Sequence, residues 1–151
     1  MNLFGAMEVS GSALQAERIR AEVVAANMAN AETTRTANGG PYQRQHVVFT
    51  SMAPQQSFAS QLMAQSGGSG GSDSETGGVR VSAVVADQGG PLRRYDPGHP
   101  DADKDGYVSY PDINPLSEMV DLMGATRAYG LNSSAVQAEK SMVSASLDIL
   151  K

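Results

Sequence analysis

Apolar residues recur every three or four positions near the start of the chain. Between residues 3 and 30 they alternate with charged and amide side chains, which is the pattern of an amphipathic helix. The apolar positions are Val9, Ala13, Ala16, Ile19, Val23 and Ala26. The sequence therefore predicts an N-terminal helix with one modestly apolar face and one solvated face.

A second and longer helix is predicted at the end of the chain. Asn114 suits the N-cap, and Pro115 suits the first helical position, where no amide hydrogen is needed. At 1.5 Å per residue, a helix from Pro115 to Lys151 would extend about 55 Å, which is longer than a domain this small can cover. A 3,4 alternation, the pattern of a heptad seam, runs through Met119, Leu122, Thr126, Tyr129, Ser133, Val136, Lys140, Val143, Leu147 and Leu150, and the seam is imperfect because it includes Thr, Ser and Lys. This seam is therefore expected to pack against other helices.

The middle of the chain differs in kind, because short β-type runs lie among Gly, Pro, Ser and Asp residues. The runs at 46–50, 79–87 and 92–95 predict a small sheet or a set of hairpins. Residues 66–78, "SGGSGGSDSETGG", have the composition of a flexible loop. The predicted fold class is α+β, in three parts: an N-terminal helix and motif in 1–34, a β-rich middle region in 35–113, and a C-terminal heptad helix in 114–151.

Composition limits the core that the 151 residues can build. Aromatic residues make up 5% of the chain and Trp is absent, so little large apolar area can be buried, and neighbours are expected to supply stability. The absence of Cys excludes disulfides, thiolate nucleophiles and Cys-based metal sites. A net charge of -5 with scattered Lys and Arg argues against nucleic acid as a partner.

No motif for catalysis or cofactor binding is found. The chain has no serine elbow, no phosphate-binding glycine loop and no zinc-binding helix signature, so it is predicted not to be an enzyme and to need no cofactor. His46 and His99 are interpreted as structural residues. No apolar run approaches the ~18 residues of a membrane span, and the N-terminus lacks the pattern of a general secretory signal.

Residues 101–112, "DADKDGYVSYPD", have the spacing of a calcium-binding loop. The aspartates fall at loop positions 1, 3 and 5, a glycine at 6 and a carboxylate at 12: Asp101, Asp103, Asp105, Gly106 and Asp112. Prolines at 97, 100 and 111 oppose the flanking helices that such a loop requires. Two interpretations follow, a calcium-binding interaction module or ordinary turn chemistry, in which Asp and Gly form tight turns.

The stretch "VVAANMANAETTRT" at 23–36 resembles the Asn-x-Ala-Asn-x-x-Thr signature of the bacterial flagellar axial proteins of rod and hook. The matching residues are Asn27, Ala29, Asn30 and Thr33. The segments "GGPYQRQHVVF" at 39–49 and "YDPGHPDADKDGYVSYPDINPLSEMVDLMGATRAYGLN" at 95–132 narrow the resemblance to the rod protein C family, whose members are proximal rod subunits. The same polar motif residues have a simpler interpretation, as groups that end a helix and begin a turn.

The resemblance implies a function and a location. It implies that the two terminal helices pair as a coiled-coil-like inner domain, with the β-rich region outside. It implies a structural subunit of the periplasmic basal-body rod, which assembles with copies of itself and other rod proteins to transmit torque. Export would use the flagellar type III apparatus, without a cleaved signal peptide. Members of this family are not known as calcium binders, so the loop spacing is interpreted as coincidental. The predicted assembly residues are the motif residues together with Val9, Ala16, Ile19, Val23, Met119, Leu122, Tyr129, Val136, Val143 and Leu147.

Overall fold

A computed structural model of the chain describes residues 3–52 and 77–149. Most of the predicted 66–78 loop lies outside these residues, and only Gly77 and Gly78 fall within them. The elements in chain order are α1 (Leu3–Ala29), β1 (Gln45–Met52), β2 (Gly78–Ala86), β3 (Leu92–Tyr95), β4 (Tyr107–Tyr110) and α2 (Pro115–Ile149). The predicted α+β class is confirmed, with one long helix near each end of the chain and small sheets between them.

Helix α2 begins where the cap residues predict. The side-chain oxygen of Asn114 accepts a hydrogen bond from the Leu116 amide at 3.0 Å, and its carbonyl oxygen accepts one from the Glu118 amide at 3.1 Å. These bonds satisfy helix-end groups that would otherwise lack partners, which sets the start of the helix at Pro115.

The two helices pack against each other in antiparallel fashion. Asn27, near the end of α1, contacts Glu118 in the first turn of α2. Seven residues earlier on α1, Arg20 contacts Asp121, which lies three residues later on α2. Helix α2 therefore runs back along α1, and the N-terminal and C-terminal helices pack side by side.

The inner face of α2, which packs on α1, is centred one residue before the predicted seam. Its buried residues are Glu118, Ala125 and Glu139. Seam positions flank this line: Leu122, Val136 and Val143 are half-buried, whereas Met119, Tyr129 and Leu147 are exposed. On α1, Ala16 is buried, and Val9, Ile19 and Val23 are half-buried. Two of the three buried residues on the inner face of α2 are Glu. Apolar periodicity therefore predicts the line of contact at neighbouring positions, one residue later.

The β1–β2 hairpin lies along α1. The strands are antiparallel, with Gln45 opposite Ala86, Met52 opposite Gly78 and an irregularity between Val48 and Phe49. The Val79 amide donates to the side-chain oxygen of Ser12 on α1 at 3.1 Å, so the far end of the hairpin is tied to the N-terminal half of the helix.

The second hairpin includes β4, a strand that the sequence patterns did not predict. Strands β3 and β4 pair antiparallel from Leu92 opposite Tyr110 to Tyr95 opposite Tyr107. The Tyr95 and Tyr107 rings meet edge to face at 5.4 Å between centroids. Val108 on β4 is almost fully buried. Four residues are too few for a clear alternation, and these four lie inside the segment whose spacing resembles a calcium loop.

We expect Gly106→Ala to destabilise the protein by about 1–3 kcal/mol. Gly106 has φ +79, and a Cβ there would lie 2.9 Å from Cε2 of Tyr95 and 3.3 Å from Cβ of Pro97. The matched control is Gly124→Ala in the interior of α2, where a Cβ meets nothing within 4 Å; it should stabilise by roughly 0.5–1 kcal/mol. Urea unfolding of both variants checks the prediction, and equal effects would contradict it.

Candidate functional site

Asn27, the first residue of the signature motif, is buried and clamps the start of β1. Its side-chain oxygen accepts from the Gln45 amide at 2.9 Å, and its Nδ2 donates to the Gln45 carbonyl at 2.9 Å. The same Nδ2 lies 3.1 Å from Glu118 Oε2, and Tyr42 donates its hydroxyl to Asn27 Oδ1 at 3.2 Å. One amide side chain thus joins the end of α1, the segment entering β1 and the first turn of α2.

Glu118 is the acidic partner in this cluster and is fully buried. Arg44 donates from both Nε and Nη2 to Glu118 Oε1, each at 2.6 Å. Its Nη2 also lies 3.7 Å from Asp121 Oδ2. A buried carboxylate is tolerated when it is paired and hydrogen-bonded, and both oxygens of Glu118 have partners here. We call Asn27, Tyr42, Arg44, Gln45 and Glu118 the junction cluster.

The junction cluster changes the pKa of the Tyr42 phenol. Burial raises the pKa of the Tyr42 phenol, and the nearby charge of Glu118 raises that pKa further. A neutral phenol can donate to Asn27, whereas a phenolate cannot, so the shift favours the hydrogen-bonded form. The junction cluster contains no nucleophile poised beside a base and serves to join three elements.

The remaining motif residues shape the end of α1. Asn30 Nδ2 donates to the Ala26 carbonyl at 2.9 Å, and the Thr33 hydroxyl donates to Asn30 Oδ1 at 3.1 Å. The Tyr42 amide then donates to the Thr33 carbonyl at 3.1 Å. Ala29 is exposed. The motif's polar groups therefore act within the chain, as in the simpler interpretation of the sequence, and a direct role of these residues in assembly stays a prediction.

Two aspartates of the calcium-like loop, Asp101 and Asp103, have their side chains engaged in contacts within the protein. Asp103 Oδ1 accepts from the amides of Asp105 and Tyr107 at 2.9 and 3.0 Å, and its Oδ2 pairs with Arg93 at 2.6 Å. The hydrogen bond from the Tyr107 amide is the main reason that the pKa of Asp103 lies below its usual value. Asp101 Oδ2 accepts from a threonine hydroxyl, Thr34, at 2.8 Å. Within 3–52 and 77–149, no group of three or more His, Asp or Glu side chains is arranged to hold a metal ion.

Four members of the junction cluster were not singled out from the sequence, namely Tyr42, Arg44, Gln45 and Glu118. Glu118 lies in the first helical turn, where an acidic residue is expected simply because it suits the helix dipole. Tyr42, Arg44 and Gln45 lie in the matched segment "GGPYQRQHVVF", but no local pattern pairs Arg44 with Glu118, 74 positions away, or Tyr42 with Asn27, 15 positions away. Only their presence in a specific matched segment hinted at a role.

A second surface is the outer side of α2, away from α1. Leu116 and the buried Ala125 are nine residues apart, which places them on opposite sides of a helix with 3.6 residues per turn. A line through Leu116 repeats at spacings of four, three and four residues, and all its members are exposed. We call it the outer stripe; it comprises Leu116, Val120, Met123, Arg127, Leu131, Ser134, Ala138, Met142, Ala145 and Ile149.

The outer stripe is unusually apolar for an exposed helical face. Its large apolar members are more than half exposed, from 52% for Met142 to 85% for Ile149. Contiguous apolar surface of this kind marks an interaction site. In the described residues, neither α1 nor α2 contains a stretch that is long and apolar enough to cross a membrane.

Comparison with known proteins agrees with this architecture. The family model described as "Flagella basal body rod protein" matches residues 7–35, and the model described as "Flagellar basal body rod FlgEFG protein C-terminal" matches residues 104–149. The first contains the motif residues of α1, and the second contains β4 and α2.

Several curated proteins are similar over nearly their whole length. The flagellar basal-body rod protein FlgC of Bacillus subtilis (strain 168) is 43% identical over 155 aligned residues, covering 100% of both chains. FlgC of Borreliella burgdorferi is 37% identical, covering 100% of this chain and 99% of the relative. FlgC of Salmonella typhimurium is 35% identical over 144 residues, covering 95% and 94%. The chain therefore belongs to the family of the flagellar basal-body rod protein FlgC.

Proposed function

We propose that this chain is a structural subunit of the flagellar basal-body rod, built into the rod beside copies of itself and other rod proteins. The relatives carry the name of a basal-body rod protein along their full length, which supports the rod as the place of action. The role is mechanical and requires neither catalysis nor a cofactor.

The observation that carries this proposal is the outer stripe of α2. The apolar residues buried within the chain's described part are few and mostly small, namely Ala16, Val24, Val108, Ile113 and Ala125. Leu131, in contrast, is 74% exposed and Leu116 is 70% exposed. Because the larger side chains lie outside, neighbouring subunits would bury more of the large apolar groups than the chain buries by itself.

The junction cluster suits a part that bears load. It ties the hairpin that begins at Gln45 to both helices through hydrogen bonds and a buried ion pair. A β region that is fixed to the helices in this way turns with them, and we propose that the subunit thereby passes motor torque along the rod across the periplasm. A slender helix pair with a small core also suits export in an unfolded form through the flagellar type III apparatus, without a cleaved signal.

The proposal is tested by placing a charge on the outer stripe. Leu131→Asp is expected to abolish incorporation into basal bodies and motility, because a carboxylate would be buried without a partner when a neighbour covers the stripe. The isolated chain should keep its stability, since Leu131 is exposed in the single subunit. The measurement is quantitative mass spectrometry of purified basal bodies, together with swimming assays.

A matched control is Ser144→Asp, an exposed position of α2 outside the outer stripe. This variant should incorporate normally. If basal bodies that contain Leu131→Asp form in normal numbers, the proposed use of this surface is wrong. If the Leu131→Asp chain is stable and the basal bodies lack it, the proposal is supported.

A further inference from the structure

Glu139 is a buried carboxylate without a complete set of partners. It lies on the inner face of α2 with 8% of its surface exposed, and its Oε2 has no hydrogen-bond partner. No ion pair to Glu139 is formed within the described part of the chain. A buried charged group normally pairs, so this position calls for a donor that the described residues of the subunit do not supply.

The same helix shows what a complete site looks like. Glu118 precedes Glu139 by 21 residues, or three heptads, and lies on the same inner face. There the carboxylate receives Arg44 and the amide of Asn27. At Glu139, about 31 Å further along the helix, none of the residues in 3–52 and 77–149 supplies a corresponding cation.

Helix α1 supplies no cation near Glu139. The helices are antiparallel, so Glu139 faces the first turns of α1, roughly 21 residues before Asn27. Between residues 3 and 17 the chain contains no Lys or Arg. The buried positions there, Gly5, Ser10 and Ala16, carry no charged side chain.

Arg127 on the outer stripe is a cation without an acidic partner in the described part of the chain. It is exposed, and in the described part of the chain it makes no ion pair or hydrogen bond. It is the one charged residue of the outer stripe, whose other members are Leu, Val, Met, Ala, Ser and Ile. A neighbour that covers the apolar stripe would remove water from the Arg127 guanidinium, which would then need an acidic partner.

We propose that the Arg127 guanidinium of one copy pairs with the Glu139 carboxylate of the next copy, entering beside the first turns of its α1. Within one chain the two residues are 12 positions apart, which separates them by about 18 Å along α2 and about 120° around it, so they cannot pair with each other. Each copy thus offers a cation on one side and an acid on another. Such a head-to-tail contact either closes into a ring or repeats as an open helical array, and a rod requires the open form. This inference rests on the proposed function. It adds the identity of the two residues through which one copy recognises the next.

The first test uses cysteine cross-linking, for which the chain is well suited because it contains no native Cys. Basal bodies are purified from cells whose only copy of the chain carries both Arg127→Cys and Glu139→Cys, and are then treated with a bis-maleimide cross-linker, because an Arg–Glu pair holds its Cα atoms farther apart than a disulfide allows. We expect a ladder of covalent oligomers of this chain that extends beyond the dimer. Either single variant should give no ladder, and neither should Arg127→Cys combined with Lys140→Cys, since Lys140 is exposed on a different side of the helix.

Other results would overturn the inference. A product that stops at the dimer would indicate a closed two-fold contact. A cross-link from residue 139 to a different rod protein would indicate another neighbour. Basal bodies that contain the doubly substituted chain but give no product with the bis-maleimide would also exclude the contact. In that last case the proposed rod function would stand, because incorporation is measured independently on the untreated sample.

A second measurement applies if the cysteine variants fail to incorporate. Arg127→Glu and Glu139→Arg are each expected to reduce incorporation at least about tenfold, since each places two like charges at one contact. The exchanged chain, with both substitutions, should recover most of the loss. If the exchanged chain is as defective as the single variants, the pairing is wrong.

Discussion

Asn27→Ala is expected to lower the free energy of unfolding by about 3–5 kcal/mol, because each buried polar group left without a partner costs roughly 1–3 kcal/mol. Alanine would leave the amide and carbonyl of Gln45, and Oε2 of Glu118, without their observed partner. A loss of this size is a large fraction of the total stability of a small domain, about 5–15 kcal/mol. Urea unfolding followed by circular dichroism measures it.

The matched control for Asn27 lies in the same motif. Asn30→Ala removes one hydrogen bond to the Ala26 carbonyl and one from Thr33 at a half-buried position. It should cost only about 1 kcal/mol, because water can replace the lost partners. If the two variants lose the same small amount, Asn27 is not the clamp that its contacts describe.

Arg44→Met should have the second large effect, a loss of about 3–5 kcal/mol, because removing one partner of a buried ion pair leaves the other charge uncompensated. The charge left behind is that of Glu118, which is fully buried. Methionine keeps much of the side chain's length, so the loss reports mainly on the missing guanidinium. Thermal and urea unfolding of the purified variant provide the measurement.

Two further variants separate the ion pair from general effects of removing arginine. Arg18→Met breaks a pair with Glu22 whose side chains are 70% and 62% exposed, and it should cost no more than about 0.5 kcal/mol. Combining Arg44→Met with Glu118→Met should restore part of the lost stability, since no buried charge then remains. A double variant less stable than Arg44→Met alone would show that the uncompensated charge of Glu118 costs less than its hydrogen bond with Asn27 contributes.

Local sequence patterns predicted most of the elements correctly. The start of α2 at Pro115 followed from the cap chemistry of Asn114, and α1 followed from its periodicity. The runs at 46–50, 79–87 and 92–95 correspond to β1, β2 and β3 within one or two residues. These features depend on neighbours along the chain, which is why single-sequence reasoning reaches them.

The patterns were less informative about which side of each helix packs. The apolar seam of α2 suggested a line through Met119, whereas the inner face is centred on Glu118 and the outer stripe begins at Leu116. A helix with apolar residues on several sides offers more than one periodic line. The choice among these lines depends on what the partner helix presents, and α1 presents Asn27 and small residues.

The sequence by itself determined the two long helices, three of the four strands in 3–52 and 77–149, and the motif that resembles that of the flagellar axial proteins. Only the tertiary structure decided that Asn27, Arg44 and Glu118 meet, although 74 positions separate Arg44 from Glu118 and 91 separate Asn27 from Glu118. Periodicity and capping record interactions within a few residues. A buried ion pair between distant segments depends on how the helices and the hairpin pack together, and no local pattern contains that information.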